Sequence, residues 1–230
     1  MGYNWGRSSV PYIYEIYPPV ITLPIYERIF KIVHSLHSTV QGYDGKPNCL
    51  FYNFAAAYIL LHKLKVHAVP VCGAAAVKVL PNPVPTLAMG QIDDASGDFY
   101  SDGEGFHCWV MTAGHYLDFT APLYGDYITA GGLAAPKVAR MMFQKPKSAM
   151  ANSLENVTRP GDFFFQGDME MTQAYVAKIE VHAGVIDLVQ ACGEWFVKRT
   201  EPHRSTVTIL DNQGAIIDVR LDEKSIVGVW

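Results

Sequence analysis

Apolar side chains recur at helical spacing in three stretches of the chain. Ile25, Ile29, Ile32, Val33, Leu36 and Val40 form one stripe across residues 22–40. This predicts an amphipathic helix, with Thr22 as cap and Pro24 in the permitted first turn. His34 and His37 fall beside the stripe and read as surface histidines. In residues 46–64 the apolar positions Leu50, Phe54, Ala57, Leu61 and Leu64 follow i, i+4, i+7 spacing. They predict a buried helix anchored on that face, with Pro47 stiffening its approach and Asn48 as N-cap. Val185, Leu188, Val189, Cys192, Trp195 and Phe196 predict a third helix over 183–199.

Other stretches read as strands. Val66–Val79 is short, apolar and rich in β-branched residues, which fits a strand or a strand pair. Residues 106–121 hold two apolar runs around a tight turn at Thr112-Ala113-Gly114, a β-hairpin. A second hairpin is expected over 206–221, turning at 211–214, and a further strand over 174–181. Residues 1–21, rich in Tyr and Pro, read as an extended arm, and residues 41–45 as a loop. Residues 81–105, punctuated by Pro and Gly, read as a long surface loop broken by one short strand. Its acidic run, Asp93–Asp98, reads as solvated. Residues 122–172 give mixed signals, with one short helix, and suit a lid or substrate arm. The order of elements fits one α+β domain across 1–230, built on an antiparallel sheet.

Composition narrows the function classes. The chain has 230 residues, 50% of them hydrophobic and 17% charged, a globular balance that excludes disorder. Its net charge of −4 offers no footprint for nucleic acid or an anionic membrane. No apolar run reaches the roughly 18 residues of a transmembrane helix, and the start Met-Gly-Tyr-Asn-Trp-Gly-Arg lacks the pattern of a signal peptide. Cys49, Cys72, Cys108 and Cys192 are scattered, without a C-x-x-C pair. Free thiols in a reducing cytoplasm are the expectation. Closely spaced ligand pairs for zinc are missing, so neither metal nor cofactor is expected.

The chemistry gathers at Cys49. A cysteine in the first turn of a helix meets free N–H groups and the positive end of the dipole, which favour a thiolate. It needs a base. Side chains alternate along a strand, so His107, Trp109 and Met111 share one face of the hairpin and Cys108 lies on the other. With a two-residue turn at 112–113, His107 lies directly opposite Asp118. With the turn at 113–114, Asp118 opposes Trp109 and is the diagonal neighbour of His107 on the same face. Either register lets His107 and Asp118 meet, whereas a one- or three-residue turn separates them. Cys49 as nucleophile, His107 as its proton partner and Asp118 as orienter make a coherent set.

The same residues carry a family resemblance. Asn48-Cys49-Leu-Phe-Tyr-Asn-Phe-Ala-Ala-Ala-Tyr, followed by Leu64 through Gly73, resembles the nucleophile helix and following strand of transglutaminase-like proteins. Phe106-His-Cys-Trp-Val-Met and Tyr116-Leu-Asp-Phe-Thr-Ala-Pro122 are similar to that family's His-x-Trp-Val and Asp-x-Thr strands. The superfamily also holds papain-like peptidases and arylamine N-acetyltransferases. The resemblance covers about residues 41–122. It implies a papain-like/transglutaminase-like core and a Cys49, His107, Asp118 triad, and it transfers no substrate. The family often has a small residue before its Cys, where this chain has Asn48. Asn48 and Gln41 are candidate oxyanion donors, each set against a plainer role as N-cap and solvated loop residue. Trp109, Phe163 and Phe164 are candidate pocket residues, against core packing.

The expected function is a cytoplasmic cysteine hydrolase or acyltransferase. It would act on an amide or ester of a small molecule or peptide through a thioester, with peptide-type amide hydrolysis favoured. The alternative is a binding or structural module that keeps the fold without turnover, its ligand pocket built by residues 122–172.

Overall fold

The structure is a computed structural model, and it describes residues 18–39, 48–132, 137–196, 205–210 and 214–230. Its helices are α1 (Leu23–His37), α2 (Cys49–His62), α3 (Tyr124–Ala130), α4 (Met169–Glu180) and α5 (Ala183–Trp195). Its strands are β1 (Val69–Val77), β2 (Leu87–Met89), β3 (Gln91–Ile92), β4 (Phe99–Tyr100), β5 (His107–Met111), β6 (His115–Asp118), β7 (Phe143–Pro146), β8 (Phe163–Gly167), β9 (Thr206–Leu210) and β10 (Ile216–Arg220). The architecture is mixed α and β. Six strands form a curled antiparallel sheet ordered β2-β1-β5-β6-β7, with β8 also paired to β1. Two-stranded pieces β3–β4 and β9–β10 stand apart. Among the described residues no helix is long and apolar enough to cross a membrane.

Strand β1 is central, and its last seven residues are all buried. Both faces are covered, so its run is continuous rather than alternating. One face packs against α1, α2 and α5 through Val110, Leu117, Tyr52, Ile59, Ile29 and Trp195. The other holds an aromatic core of Trp109, Phe143, Phe163, Phe165 and Tyr124. Gly73 is where β8 crosses closest. A Cβ there would lie 2.1 Å from the Gln166 carbonyl oxygen, so only glycine fits.

Helix α2 begins where expected, with Asn48 accepting a hydrogen bond from the Phe51 N–H at 3.2 Å. Its anchoring face differs from the expected one. Leu61 is 41% exposed, and Leu50, Phe54 and Leu64 are only half-buried. Of the expected face only Ala57 is buried, and it is joined by Phe51, Tyr52, Asn53, Ala55, Ala56, Ile59 and Leu60. The helix is apolar nearly all round, so periodicity alone leaves its rotation open. In α1, Thr22 caps through its carbonyl, which accepts from the N–H groups of Ile25 and Tyr26, and its side chain makes no capping bond. His34 and His37 are half-buried rather than free on the surface: His34 Nδ1 lies 2.6 Å from the Tyr52 hydroxyl, and the His37 ring stacks on Phe51.

Two expectations are corrected downstream. Residues 174–180 belong to helix α4, with Val181 as its C-cap, and Thr172, Tyr175, Val176 and Ile179 turn inward at helical spacing. Within 122–172, β7 and β8 are strands of the central sheet, so this part is core and not lid. The loop 81–105 carries three short strands rather than one, and Asp93 organises the β3–β4 turn by accepting from the Ala95 and Ser96 N–H groups. The expected arm up to residue 17, the loop 41–45 and most of the 211–214 turn lie outside the described residues.

Candidate functional site

The β5–β6 hairpin sets the register. Thr112 N–H donates to the His115 carbonyl at 2.9 Å, closing a two-residue turn at Ala113-Gly114. Val110 then pairs with Leu117 and Met111 with Tyr116. Continued one step, this register sets Asp118 opposite Trp109 and diagonal to His107, the second of the two arrangements that let the pair meet. They do meet. His107 Nε2 lies 2.6 Å from Asp118 Oδ2, with both side chains almost fully buried.

Asp118 is held from every side. Oδ1 accepts from the Thr120 N–H at 2.8 Å, the Thr120 hydroxyl at 2.6 Å and Asn53 Nδ2 at 3.2 Å. Oδ2 accepts from the Tyr124 hydroxyl at 2.5 Å as well as from His107. The Tyr26 hydroxyl donates to the backbone carbonyl of Asp118. Burial works to raise this carboxyl's pKa, but the His107 charge and these hydrogen bonds outweigh it and hold it below the usual range. His107 shows the mirror image. Burial opposes its charge, yet Asp118, together with a hydrogen bond to Cys49, pushes the imidazole up to about 10.

Cys49 is partly exposed at the first turn of α2. With Nε2 committed to Asp118, the other ring nitrogen of His107 is the one left to serve Cys49, whose influence adds to the upward shift of the imidazole. Asn53 locks this arrangement. Its Nδ2 reaches the carbonyls of Cys49 at 3.1 Å and Cys108 at 2.8 Å, and its Oδ1 accepts from the Phe119 N–H at 3.0 Å. One amide thus ties the helix to both strands of the hairpin. Two half-buried tyrosines, Tyr127 from α3 and Tyr175 from α4, lie within electrostatic reach of Cys49. Burial raises both phenols, and the nearby Cys49 charge adds to it.

Sequence reasoning missed Asn53, Tyr26, Tyr124, Tyr127 and Tyr175. Asn53 carried a signal: it is the one strongly polar residue in the apolar body of α2, four positions from Cys49. The tyrosines carried none. Of the proposed pocket residues, Trp109 and Phe163 are buried in the aromatic core. Phe164 points to the opposite face, beside Phe99, Ala74 and Ala76. Packing claims them because strand parity turns Trp109 and Phe163 into the layer that Phe143 and Phe165 complete. Asn48 serves as the N-cap, and Gln41 lies outside the described residues. Among the described residues no group of three or more His, Cys, Asp or Glu side chains is placed to hold a metal ion.

A family model described as "Protein of unknown function (DUF2026)" matches residues 22–230. The chain belongs to the DUF2026 family. Its fold is similar to a solved structure named "The crystal structure of genomics APC5867", which is 28% identical with a TM-score of 0.79. That match covers 94% of this DUF2026 chain and 100% of the other. No curated protein matches it.

Proposed function

We propose that this chain is a cysteine-dependent hydrolase or acyltransferase with a papain-like or transglutaminase-like core. In this reading Cys49 is the nucleophile, His107 the acid and base, and Asp118 the group that orients and charges the imidazole. The carrying observation is the buried 2.6 Å contact between His107 and Asp118, formed beside a cysteine at a helix N-terminus.

The thiolate sulfur attacks the carbonyl carbon of an amide or ester. The resulting oxyanion is met by the Cys49 N–H and by the Asn48 carboxamide NH2, which the cap bond leaves unused. His107 passes its proton to the departing amine or alkoxide, and a thioester remains on Cys49. Water, or an acceptor amine or alcohol, then gives its proton to His107 and attacks the thioester, returning the thiolate. The −4 net charge and the two phenols beside Cys49 suit a small-molecule or peptide acyl donor over a polyanion.

Incubation with p-nitrophenyl acetate followed by peptide mass spectrometry tests the reading. Acetyl is expected on Cys49 and not on the other three thiols, with acylation falling on the order of 100-fold or more in His107→Ala. Even labelling of all four cysteines, or an unchanged rate in that variant, would instead mark a binding module.

A further inference from the structure

Strands β1 and β5 place two free cysteines directly across from each other. Cys72 pairs with Cys108 in the antiparallel register, and both are fully buried. The backbone of Cys72 tells which kind of pair this is. Its N–H donates to Thr172 Oγ1 at 2.9 Å, and its carbonyl accepts from the Asp168 N–H at 2.8 Å. Both groups therefore point away from β5. Across to β5 the pair is of the non-hydrogen-bonded kind, in which Cα atoms stand about 4.5 Å apart and side chains approach most closely. That spacing lies within the roughly 4.4–6.8 Å window for a disulfide. Both sulfurs emerge on the same face. The neighbouring Cys108 thiol lowers the Cys72 thiol pKa against the effect of burial.

We infer that Cys72 and Cys108 are a reversible cross-strand dithiol that a peroxide converts to a disulfide, slowing the chemistry of Cys49. In the first step the Cys72 sulfur attacks one oxygen of hydrogen peroxide. The O–O bond breaks, the thiol proton goes to the departing hydroxide, and Cys72 sulfenic acid and water result. The Cys108 sulfur then attacks the Cys72 sulfur. The S–O bond breaks, and the leaving hydroxide takes the Cys108 proton as a second water. Two thiols are oxidised by two electrons and one peroxide is reduced to two waters. An added dithiol reverses the bond by exchange. Access comes through α4, which meets Cys72 through Thr172, its one fully buried side chain, and otherwise packs through half-buried side chains such as Tyr175, Val176 and Ile179, so it can open locally without global unfolding.

The link to Cys49 runs through the backbone. Cys108 immediately follows His107, and its carbonyl is held by the same Asn53 amide that holds the Cys49 carbonyl. Closing the disulfide draws the two sulfurs to about 2.05 Å, and the adjustment of Cys108 that this requires is passed to the adjoining His107 and to the Asn53 bridge. The disulfide itself does not depend on Cys49 being a nucleophile, whereas its effect on the site rests on the proposed function.

The test uses the full chain, treated with hydrogen peroxide, blocked with iodoacetamide and digested without reductant. A Cys72–Cys108 linked peptide is expected as the dominant product, in the parent protein and in Cys49→Ser alike. In the linked form, iodoacetamide labelling of Cys49 is expected to slow at least tenfold and to recover with dithiothreitol. Links that involve Cys49, or Cys72 and Cys108 both alkylated after denaturation, would overturn the dithiol. A linked form that labels Cys49 at the reduced rate would overturn the control. If the link forms but Cys49 is inert in both states, the proposed function fails and the dithiol stands.

Discussion

At Asp118 burial alone would hold the carboxyl protonated, and donors from His107, Thr120, Asn53 and Tyr124 reverse that preference. The pair then makes stability depend on pH on both sides. His107 is raised from about 6.5 unfolded to about 10 folded, so its contribution is complete below the unfolded value and fades as pH climbs towards 10. Asp118 is depressed, so its contribution is complete above about pH 4 and is lost as pH falls through the folded value. Urea unfolding is therefore expected to show a plateau between about pH 4 and 6.5, with a decline on either side. In His107→Gln the alkaline decline between about 6.5 and 10 should flatten. A slope there equal to the parent's would show that other groups set the pH response.

The same pair shows what was legible in one sequence. Strand parity alone places His107 and Asp118 on one face, because a two-residue turn at either position preserves the match. Asn53 was harder to read, since a polar residue inside an apolar helix reveals its partners only when the neighbouring strands are in place. The tyrosines that surround Asp118 and Cys49 come from α1, α3 and α4, and nothing local connects them to residue 118 or residue 49.

Among the elements, β1 is the piece on which the others converge. It pairs with β2, β5 and β8 and lies beneath α2 and α4. Its glycine is the tightest point of that arrangement. Gly73→Ala is expected to cost about 1–3 kcal/mol or more, because the new methyl meets backbone and cannot be relieved by a side-chain rotation. Thermal melting checks this, and a loss under 0.5 kcal/mol would show that β8 is free to retreat. Helix α4 illustrates why some elements were misread. Tyr175, Ala177, Ile179 and Val181 alternate with neighbours and mimic a strand, while Thr172, Tyr175, Val176 and Ile179 fit a helix equally well. The Asp168 cap, which accepts from the Met171 N–H at 2.9 Å, decides in favour of the helix. The rotation of α2 was likewise undetermined locally, since α1, α5 and the sheet choose which of its many apolar residues to cover.

For the molecule as a whole, residues 226–230 close the aromatic core. Trp230 N–H donates to the Met142 carbonyl at 3.0 Å, Met142 N–H donates to the Gly228 carbonyl at 2.8 Å, and the Trp230 ring lies 6.5 Å from that of Tyr124. Ile226 is buried in the other core. Deleting 226–230 removes the buried Ile226 and the half-buried Trp230, so a loss of about 2–5 kcal/mol is expected. The loosened Tyr124 should also weaken its hold on Asp118. Denaturant titration reads the first effect, and the rate of Cys49 alkylation reads the second. An unchanged midpoint would mean that these residues only lie on the surface.

The pairing of β8 with β1 also bears on how the chain is made. Residue 49 leaves the ribosome long before residues 163–167, which complete the sheet beside Gly73, and before 226–230. A nascent chain of 110 residues holds the thiol and the imidazole but lacks the carboxylate, the tyrosine that grips it and three strands of the sheet, β6, β7 and β8. Contacts of such long sequence separation form late. During synthesis the thiol therefore waits without the buried His107–Asp118 pair beside it, and the nucleophile proposed above is assembled only when the distant strands arrive.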